Sequence, residues 1–162
     1  MQNDIPRAEN MLIGLPLASF ERSMSRDHRK LRVFGQADAL VIEVYRATAN
    51  FPLEERYVLQ AQTRRAAISA AANIVEGCAR RTTREYLHGL NIANGSTVEA
   101  CYLISLAHRL GFLAAKSEID LVARYTELTK GLQKLMEPMI NRAMREEVGN
   151  LSNLKTYLEK QV

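Results

Sequence analysis

The stretch between residues 90 and 107 carries the pattern that most restricts the fold of this chain. Small and apolar side chains recur there at alternating steps of three and four residues: Leu90, Ala93, Thr97, Ala100, Ile104 and Ala107. This heptad spacing places all six on one face of an α-helix. A face of that length must be covered by other apolar surface, so it predicts a helical bundle.

The rest of the sequence repeats the helical period, and no segment shows the two-residue alternation of a β-strand. Pro52 suits the first turn of a helix, and Thr82 with Glu85 forms the pattern of a capping box. The predicted helices cover residues 36–49, 53–79, 83–110 and 118–136. Four long amphipathic helices with short connections predict an all-α protein, folded as an antiparallel up-down four-helix bundle.

The chain divides into a bundle at residues 34–136 and two terminal extensions. Residues 1–33 have no sustained period and end in a basic cluster, so we expect a flexible, basic N-terminal extension. Residues 137–162 keep a weaker helical period, and Glu137-Pro138 predicts a break or a new helix start. This C-terminal helical tail is expected to be either a short docking helix or a frayed end.

Composition limits the class of protein and its partners. A net charge of +4 and a pI near 9.2 permit an anionic partner without requiring one. The absence of tryptophan and an aromatic content of 6 % argue against a nucleic-acid binder built on aromatic stacking platforms. The sequence contains no run of about 18 apolar residues, so we predict no membrane-spanning helix. Its two cysteines are compatible with a reducing compartment. We therefore expect a cytoplasmic protein without membrane contact.

Six polar residues share one face of the second predicted helix: Gln62, Arg65, Ser69, Asn73, Glu76 and Arg80. An apolar stripe about 100° around the same helix is expected to face the core: Ala61, Ile68, Ala72, Val75 and Ala79. The third helix offers Asn91, Asn94 and Glu99 as partners, for example in Arg65–Glu99 or Asn73–Asn91 contacts. The polar face is either a buried, hydrogen-bonded structural network or an oligomer interface or anion site.

Seven basic residues are candidates for contacts with nucleic-acid phosphates: Arg29, Lys30, Arg32, Arg64, Arg80, Arg81 and Arg84. Three belong to the end of the N-terminal extension, and the others lie near predicted helix ends or on exposed arcs. Guanidinium and ammonium groups in such places can neutralise phosphate. The alternative is an ordinary solvated surface, because the net charge is modest.

No pattern of residues predicts a catalytic centre. The chain lacks the glycine-rich phosphate loops and the nucleophile-elbow motif, and Cys78 and Cys101 occupy positions typical of packing residues. Glu85 and His88 form a single Glu-x-x-His, whereas di-iron bundles carry that motif twice with two further glutamates. We therefore expect no catalytic residue, no metal and no cofactor.

The second and third predicted helices also carry a combination of short motifs. One run reads Gln62-Thr63-Arg64-Arg65-Ala66-Ala67-Ile68-Ser69, followed by Asn73-Ile74-Val75-Glu76-Gly77 and Arg80. The preceding part is Tyr45-Arg46-Ala47-Thr48 with Phe51-Pro52 and Glu55, and the following part is Glu85-Tyr86-Leu87 and Ile92-Ala93-Asn94-Gly95-Ser96 with Glu99. Over about residues 31–135 this combination resembles the four-helix bundle proteins that are also called 23S rRNA intervening-sequence proteins. The sequence departs from them in its two extensions and at Phe34, near where the family often has tryptophan.

The resemblance implies a small bundle that assembles as a homopentamer. It also points to a relative of similar fold, the accessory variability determinant of diversity-generating retroelements, which is pentameric and binds nucleic acid and a reverse transcriptase. The first hypothesis is a non-enzymatic, homo-oligomeric accessory protein that binds RNA or DNA and assists a reverse transcriptase. The alternative is a structural oligomeric scaffold that binds a protein partner and has no nucleic-acid role. A third hypothesis is a metalloenzyme that uses Glu85 and His88.

Overall fold

The computed structural model describes residues 26–159. Every regular element in that range is a helix: a 3₁₀ helix at His28–Lys30, α1 at Arg32–Ala47, a 3₁₀ helix at Leu53–Glu55, α2 at Leu59–Ala79, α3 at Thr83–Arg109 and α4 at Ala115–Glu159. The prediction of an all-α, four-helix bundle is confirmed. Most of the predicted N-terminal extension, residues 1–25, lies outside the described residues, as do residues 160–162.

Each long helix packs against the next one along the chain, and α1 also packs against α4. With short connections, this arrangement makes neighbouring helices antiparallel. The apolar stripe predicted on α3 is the centre of the core, since none of its residues from Leu90 to Ala107 is more than 2 % exposed. Leu40 and Val44 of α1 and Leu128 and Leu132 of α4 belong to the same core cluster.

The buried face of α2 differs from the predicted one. Its core residues are mostly small: Leu59, Thr63, Ala66, Ala67, Ala70, Ile74, Gly77 and Cys78. The predicted apolar stripe is wrong, because Ile68 is 41 % exposed and Ala72 and Ala79 are exposed as well. Size explains the choice: α2 and α3 approach so closely that a Cβ added to Gly89 would lie 2.8 Å from the Cα of Gly77. Only a face of small side chains allows that approach.

Three helix starts differ from the sequence prediction. α1 begins at Arg32 because the buried positions Val33 and Ala37 continue the spacing that leads to Leu40. α2 begins at Leu59 because Val58 has a non-helical backbone, with φ −107° and ψ −99°. α4 begins at Ala115 rather than residue 118. Residues 28–33, predicted as part of an extension, therefore form a 3₁₀ helix and the start of α1.

The break or new helix start predicted at Glu137-Pro138 is absent, because α4 continues through Pro138 to Glu159. A proline inside a helix removes one hydrogen bond to the carbonyl four residues earlier, although its fixed φ is compatible with the helix. The carbonyl that loses its partner belongs to Lys134, which is exposed, so water can satisfy it. The residues predicted as a C-terminal helical tail thus extend α4 itself, as far as the description reaches.

Candidate nucleic-acid interface

Antiparallel packing brings six of the seven predicted phosphate-contacting residues to one end of the bundle. The segment that precedes α1 contacts the end of α2 and the start of α3 there: the backbone N–H of Arg26 donates to the carbonyl of Cys78 at 3.1 Å, and its guanidinium lies 4.3 Å from the ring centroid of Tyr86. We call this surface the basic end, and its predicted members are Arg29, Lys30, Arg32, Arg80, Arg81 and Arg84. These residues come from sequence segments about 50 residues apart, so the charge concentration depends on the topology.

Two residues of the basic end are already paired with carboxylates. The Nε of Arg29 lies 2.9 Å from Oδ1 of Asp27, and these hydrogen bonds hold the pKa of Asp27 below its usual value. Arg80 pairs with Glu76 one turn earlier on α2. Both arginine side chains are about half exposed or more, and such surface pairs contribute little to stability.

Four other residues of the basic end make no ion pair within the described part of the chain: Lys30, Arg32, Arg81 and Arg84. All four are exposed. Arg81 and Arg84 flank Thr82, the N-cap of α3, so their charges lie beside the positive end of the α3 dipole. The basic end therefore presents cations that an anionic ligand can reach.

The first turn of α3 is closed by the protein's own carboxylate. The N–H of Thr82 donates to Glu85 at 3.2 Å, and the hydroxyl of Thr82 donates to the same carboxylate at 2.7 Å. These hydrogen bonds, and secondarily Arg80 and Arg81, lower the pKa of Glu85. A phosphate at the basic end would thus contact arginine side chains rather than the helix N-terminus.

A groove between α1 and α4 adds lysines that the sequence interpretation missed. It has a volume of about 340 Å³, and Arg32, Lys130 and Lys134 lie along it, opposed by Glu127. The Nζ of Lys130 lies 2.9 Å from Oε1 of Glu127, and this hydrogen bond lowers the pKa of the Glu127 carboxyl. The one-turn spacing of Lys130 and Lys134 was visible in the sequence, but their position beside the start of α1 depends on how α4 packs.

Arg64 lies away from the basic end. It precedes Arg80 by 16 residues on α2, which separates the two by about 24 Å along the helix axis. Its Nε donates to the hydroxyl of Thr48 at 2.9 Å, and its guanidinium lies 4.5 Å from the ring centroid of Tyr45. The structure therefore joins Arg64 to the α1–α2 contact and not to the other six residues.

The predicted polar face of α2 lies along the edge of its contact with α3. Gln62 donates to Glu99, and Arg65 donates to Gln62. The hydroxyls of Ser69 and Ser96 lie 2.8 Å apart.

The same face continues with Asn73, which donates to the Ser69 carbonyl at 2.8 Å. Asn91 is exposed and takes no part in these contacts. Arg65, Glu76 and Glu99 are exposed too, so the network lies at the surface and is not fully buried. Ser96 was not anticipated as a partner, because a single serine on a helix carries no distinguishing signal.

Glu85 and His88 do not form part of a metal-binding site. Glu85 is engaged by Thr82, and His88 is exposed on α3. Among those residues of 26–159 whose side chains the structure describes, no three His, Cys, Asp or Glu are grouped closely enough to hold a metal ion. Within the same range, no helix combines the length and apolar character needed to cross a bilayer.

Comparison with known proteins finds a matching family model and a solved structure of similar fold. The family model described as 23S rRNA-intervening sequence protein matches residues 29–134. No curated protein is significantly similar to the chain. A solved structure of a protein of unknown function from the S23 ribosomal protein family of Bacteroides thetaiotaomicron superimposes with a TM-score of 0.61. The two are 21 % identical over 65 % of this chain and 95 % of the other, a likeness of fold.

Proposed function

The chain belongs to the 23S rRNA-intervening sequence protein family, and from that premise we propose that it is a non-enzymatic accessory protein that binds RNA or DNA. The proposal assigns binding to the basic end and places the protein in the cytoplasm. The observation that carries it is the convergence of six predicted cations at one end of the bundle, four of them without an ion pair in the described chain. A ligand with regularly spaced phosphates matches such a surface.

The resemblance to the accessory variability determinant extends the proposal in two directions. The protein is a homopentamer, and its protein partner is the reverse transcriptase of a diversity-generating retroelement. A pentamer would collect five basic ends in one particle, and several linked contacts raise the affinity for one long nucleic acid. Light scattering on the purified protein tests the assembly, with an expected mass of five times 18.3 kDa.

A scaffold that binds only a protein partner is the second candidate, and exposed apolar side chains favour it. Ile68 on α2 and Val98 and Tyr102 on α3 are between 41 % and 58 % exposed. Apolar side chains on the outer faces of two helices can support contacts with another protein. This function requires no role for the basic end.

Fluorescence-anisotropy titrations of structured RNA and duplex DNA over a salt series separate the two candidates. The test variant is the double charge reversal Arg81→Glu/Arg84→Glu. The matched control is Arg109→Glu/Lys116→Glu, which changes the net charge equally at exposed positions at the end of α3 and near the start of α4, the opposite end of the bundle. If Arg81 and Arg84 each contact one phosphate, the salt slope should fall by about 1.4–1.8 in the test variant alone.

Equal losses in both variants would show that only net charge matters, and the assignment to the basic end would be wrong. If a folded oligomer binds neither ligand at low salt, the scaffold function replaces the nucleic-acid function.

A further inference from the structure

A second surface combines arginines with exposed tyrosines, about 24 Å along α2 from the basic end. It is a groove of about 320 Å³ where the end of α1 meets the start of α2. We call it the tyrosine groove, and its charged and aromatic lining residues are Tyr45, Arg56, Tyr57, Arg64 and Arg65. Tyr57 is 80 % exposed and Tyr45 is 42 % exposed, so much of both rings faces solvent.

The rings and the cations of the tyrosine groove are already arranged in pairs. The guanidinium carbon of Arg56 lies 5.5 Å from the centroid of Tyr57, and that of Arg64 lies 4.5 Å from the centroid of Tyr45. Arg64 is further held by Thr48, to whose hydroxyl its Nε donates at 2.9 Å. Hydrogen bonding and stacking thus fix one planar cation before any ligand arrives, which reduces the entropy lost on binding.

The tyrosine groove holds three positive charges without carboxylate partners. Among the side chains that the structure describes, no Asp or Glu oxygen lies within 4 Å of the guanidinium nitrogens of Arg56, Arg64 or Arg65. Arg65 donates to the neutral amide of Gln62 instead. An anionic ligand is therefore the complement of this groove, and its aromatic walls select an anion that also carries a flat apolar ring.

We infer that the tyrosine groove binds unpaired nucleotides of single-stranded nucleic acid. The ring of Tyr57 stacks on one base, and the arginines contact the adjoining phosphates. Single-strand binding sites combine these two elements, and in a duplex the faces of the bases are already covered by neighbouring bases. The low aromatic content of the chain does not oppose this inference, because the fold places two of its six tyrosines in one charged groove.

The inference rests on the proposed nucleic-acid function, but it concerns a different surface, which prefers a different form of nucleic acid. The basic end has exposed cations and accepts phosphates of any strand. The tyrosine groove requires a base that is free to stack. The two contributions are therefore separable by changing the ligand as well as the protein.

Four labelled probes of equal length test the inference on the full chain: single-stranded RNA, single-stranded DNA, an abasic strand with the same phosphates, and a duplex. The test variant is Tyr57→Leu, and the matched control is Tyr102→Leu, an exposed tyrosine on α3 outside the groove. Loss of one base–aromatic stack should weaken single-strand binding by about 5- to 160-fold. Tyr57→Leu should leave the affinity for the abasic strand and the duplex unchanged. Tyr102→Leu should leave the affinity for all four probes unchanged.

Tyrosine fluorescence provides a second readout, because the chain has no tryptophan to mask it. Single-stranded probes should quench tyrosine emission in the native protein and the Tyr102→Leu variant, and quench it less in Tyr57→Leu. The abasic strand should not quench it in any of the three. A difference between the RNA and DNA single strands in the same assay identifies the sugar that the groove accepts.

The outcomes distinguish this inference from the proposed function. If the duplex and the single strands bind but Tyr57→Leu alters neither affinity nor quenching, the tyrosine groove is not a nucleotide site, and the basic end remains one. If no probe binds, both proposals fall, and the groove becomes a surface for a protein partner. If Tyr57→Leu weakens the abasic strand as much as the others, stacking is refuted.

Discussion

The close approach of α2 and α3 at Gly77 and Gly89 predicts different effects of alanine at two glycines of α3. Gly89 faces α2, and the three atoms nearest to a Cβ added there all belong to the backbone: the Cα of Gly77 at 2.8 Å, the carbonyl oxygen of Asn73 at 3.1 Å and the N of Gly77 at 3.2 Å. Gly95, six residues later in the same helix, has no atom within 4 Å of the corresponding position. Gly89→Ala and Gly95→Ala therefore differ only in what the new methyl group meets.

The change in helix propensity contributes a similar amount to the free energy of unfolding in both variants. Replacing an interior helical glycine by alanine gains about 0.5–1 kcal/mol, because glycine loses more backbone entropy on folding. In Gly95→Ala nothing opposes this gain. In Gly89→Ala the helices must separate, since backbone atoms cannot rotate away from the methyl group, and overpacking of this kind costs about 1–3 kcal/mol. The difference between the two variants isolates that cost.

Urea unfolding at one protein concentration measures the effect. We expect Gly95→Ala to be more stable than the native protein by about 0.5–1 kcal/mol, and Gly89→Ala to be less stable than Gly95→Ala by about 1–3 kcal/mol. In thermal unfolding the same difference corresponds to about 2–12 °C for a chain of this size. A Gly89→Ala variant as stable as Gly95→Ala would refute the close approach of α2 and α3.

Three further predictions concern residues at the start of α3. Thr82→Ala removes the side-chain cap and should lower the free energy of unfolding by about 1 kcal/mol, measured in urea at pH 7; an unchanged midpoint would contradict the cap. Because folding lowers the pKa of Glu85, its contribution to the free energy of unfolding is fully present above the ordinary glutamate pKa of 4.5 and is lost as the pH falls through the lower folded value. Thr82→Ala removes the side-chain hydrogen bond that lowers this pKa most, so the variant should lose less stability than the native protein between pH 5 and 3. Burial raises the pKa of Tyr86 to about 12, so stability should fall as pH rises from about 10 to 12, where only the unfolded phenol ionises. Tyr86→Phe should reduce that fall without removing it, because burial also raises the pKa of Tyr125; an identical alkaline profile would contradict the assignment.

Much of the candidate site could be named from the sequence, but its arrangement could not. Arg29, Arg81 and Arg84 were identifiable as exposed cations near helix ends, since charge and helix period are local properties. Their convergence follows from the antiparallel packing of α1, α2 and α3. Lys130 and Lys134 were missed for the same reason, because their place beside Arg32 depends on a helix 100 residues later in the chain.

The sequence alone determined the helical class, the buried stripe of α3 and the capping box at Thr82, because each depends on residues within a few turns of one another. Tertiary structure decided which face of α2 enters the core. Hydrophobicity favoured the stripe that contains Ile68, whereas the close approach of Gly77 and Gly89 required the face with the smaller side chains. Tertiary structure also separated Arg64 from the other cations and placed it beside Tyr45. Both choices depend on the shape and direction of a neighbouring helix, which no local pattern contains.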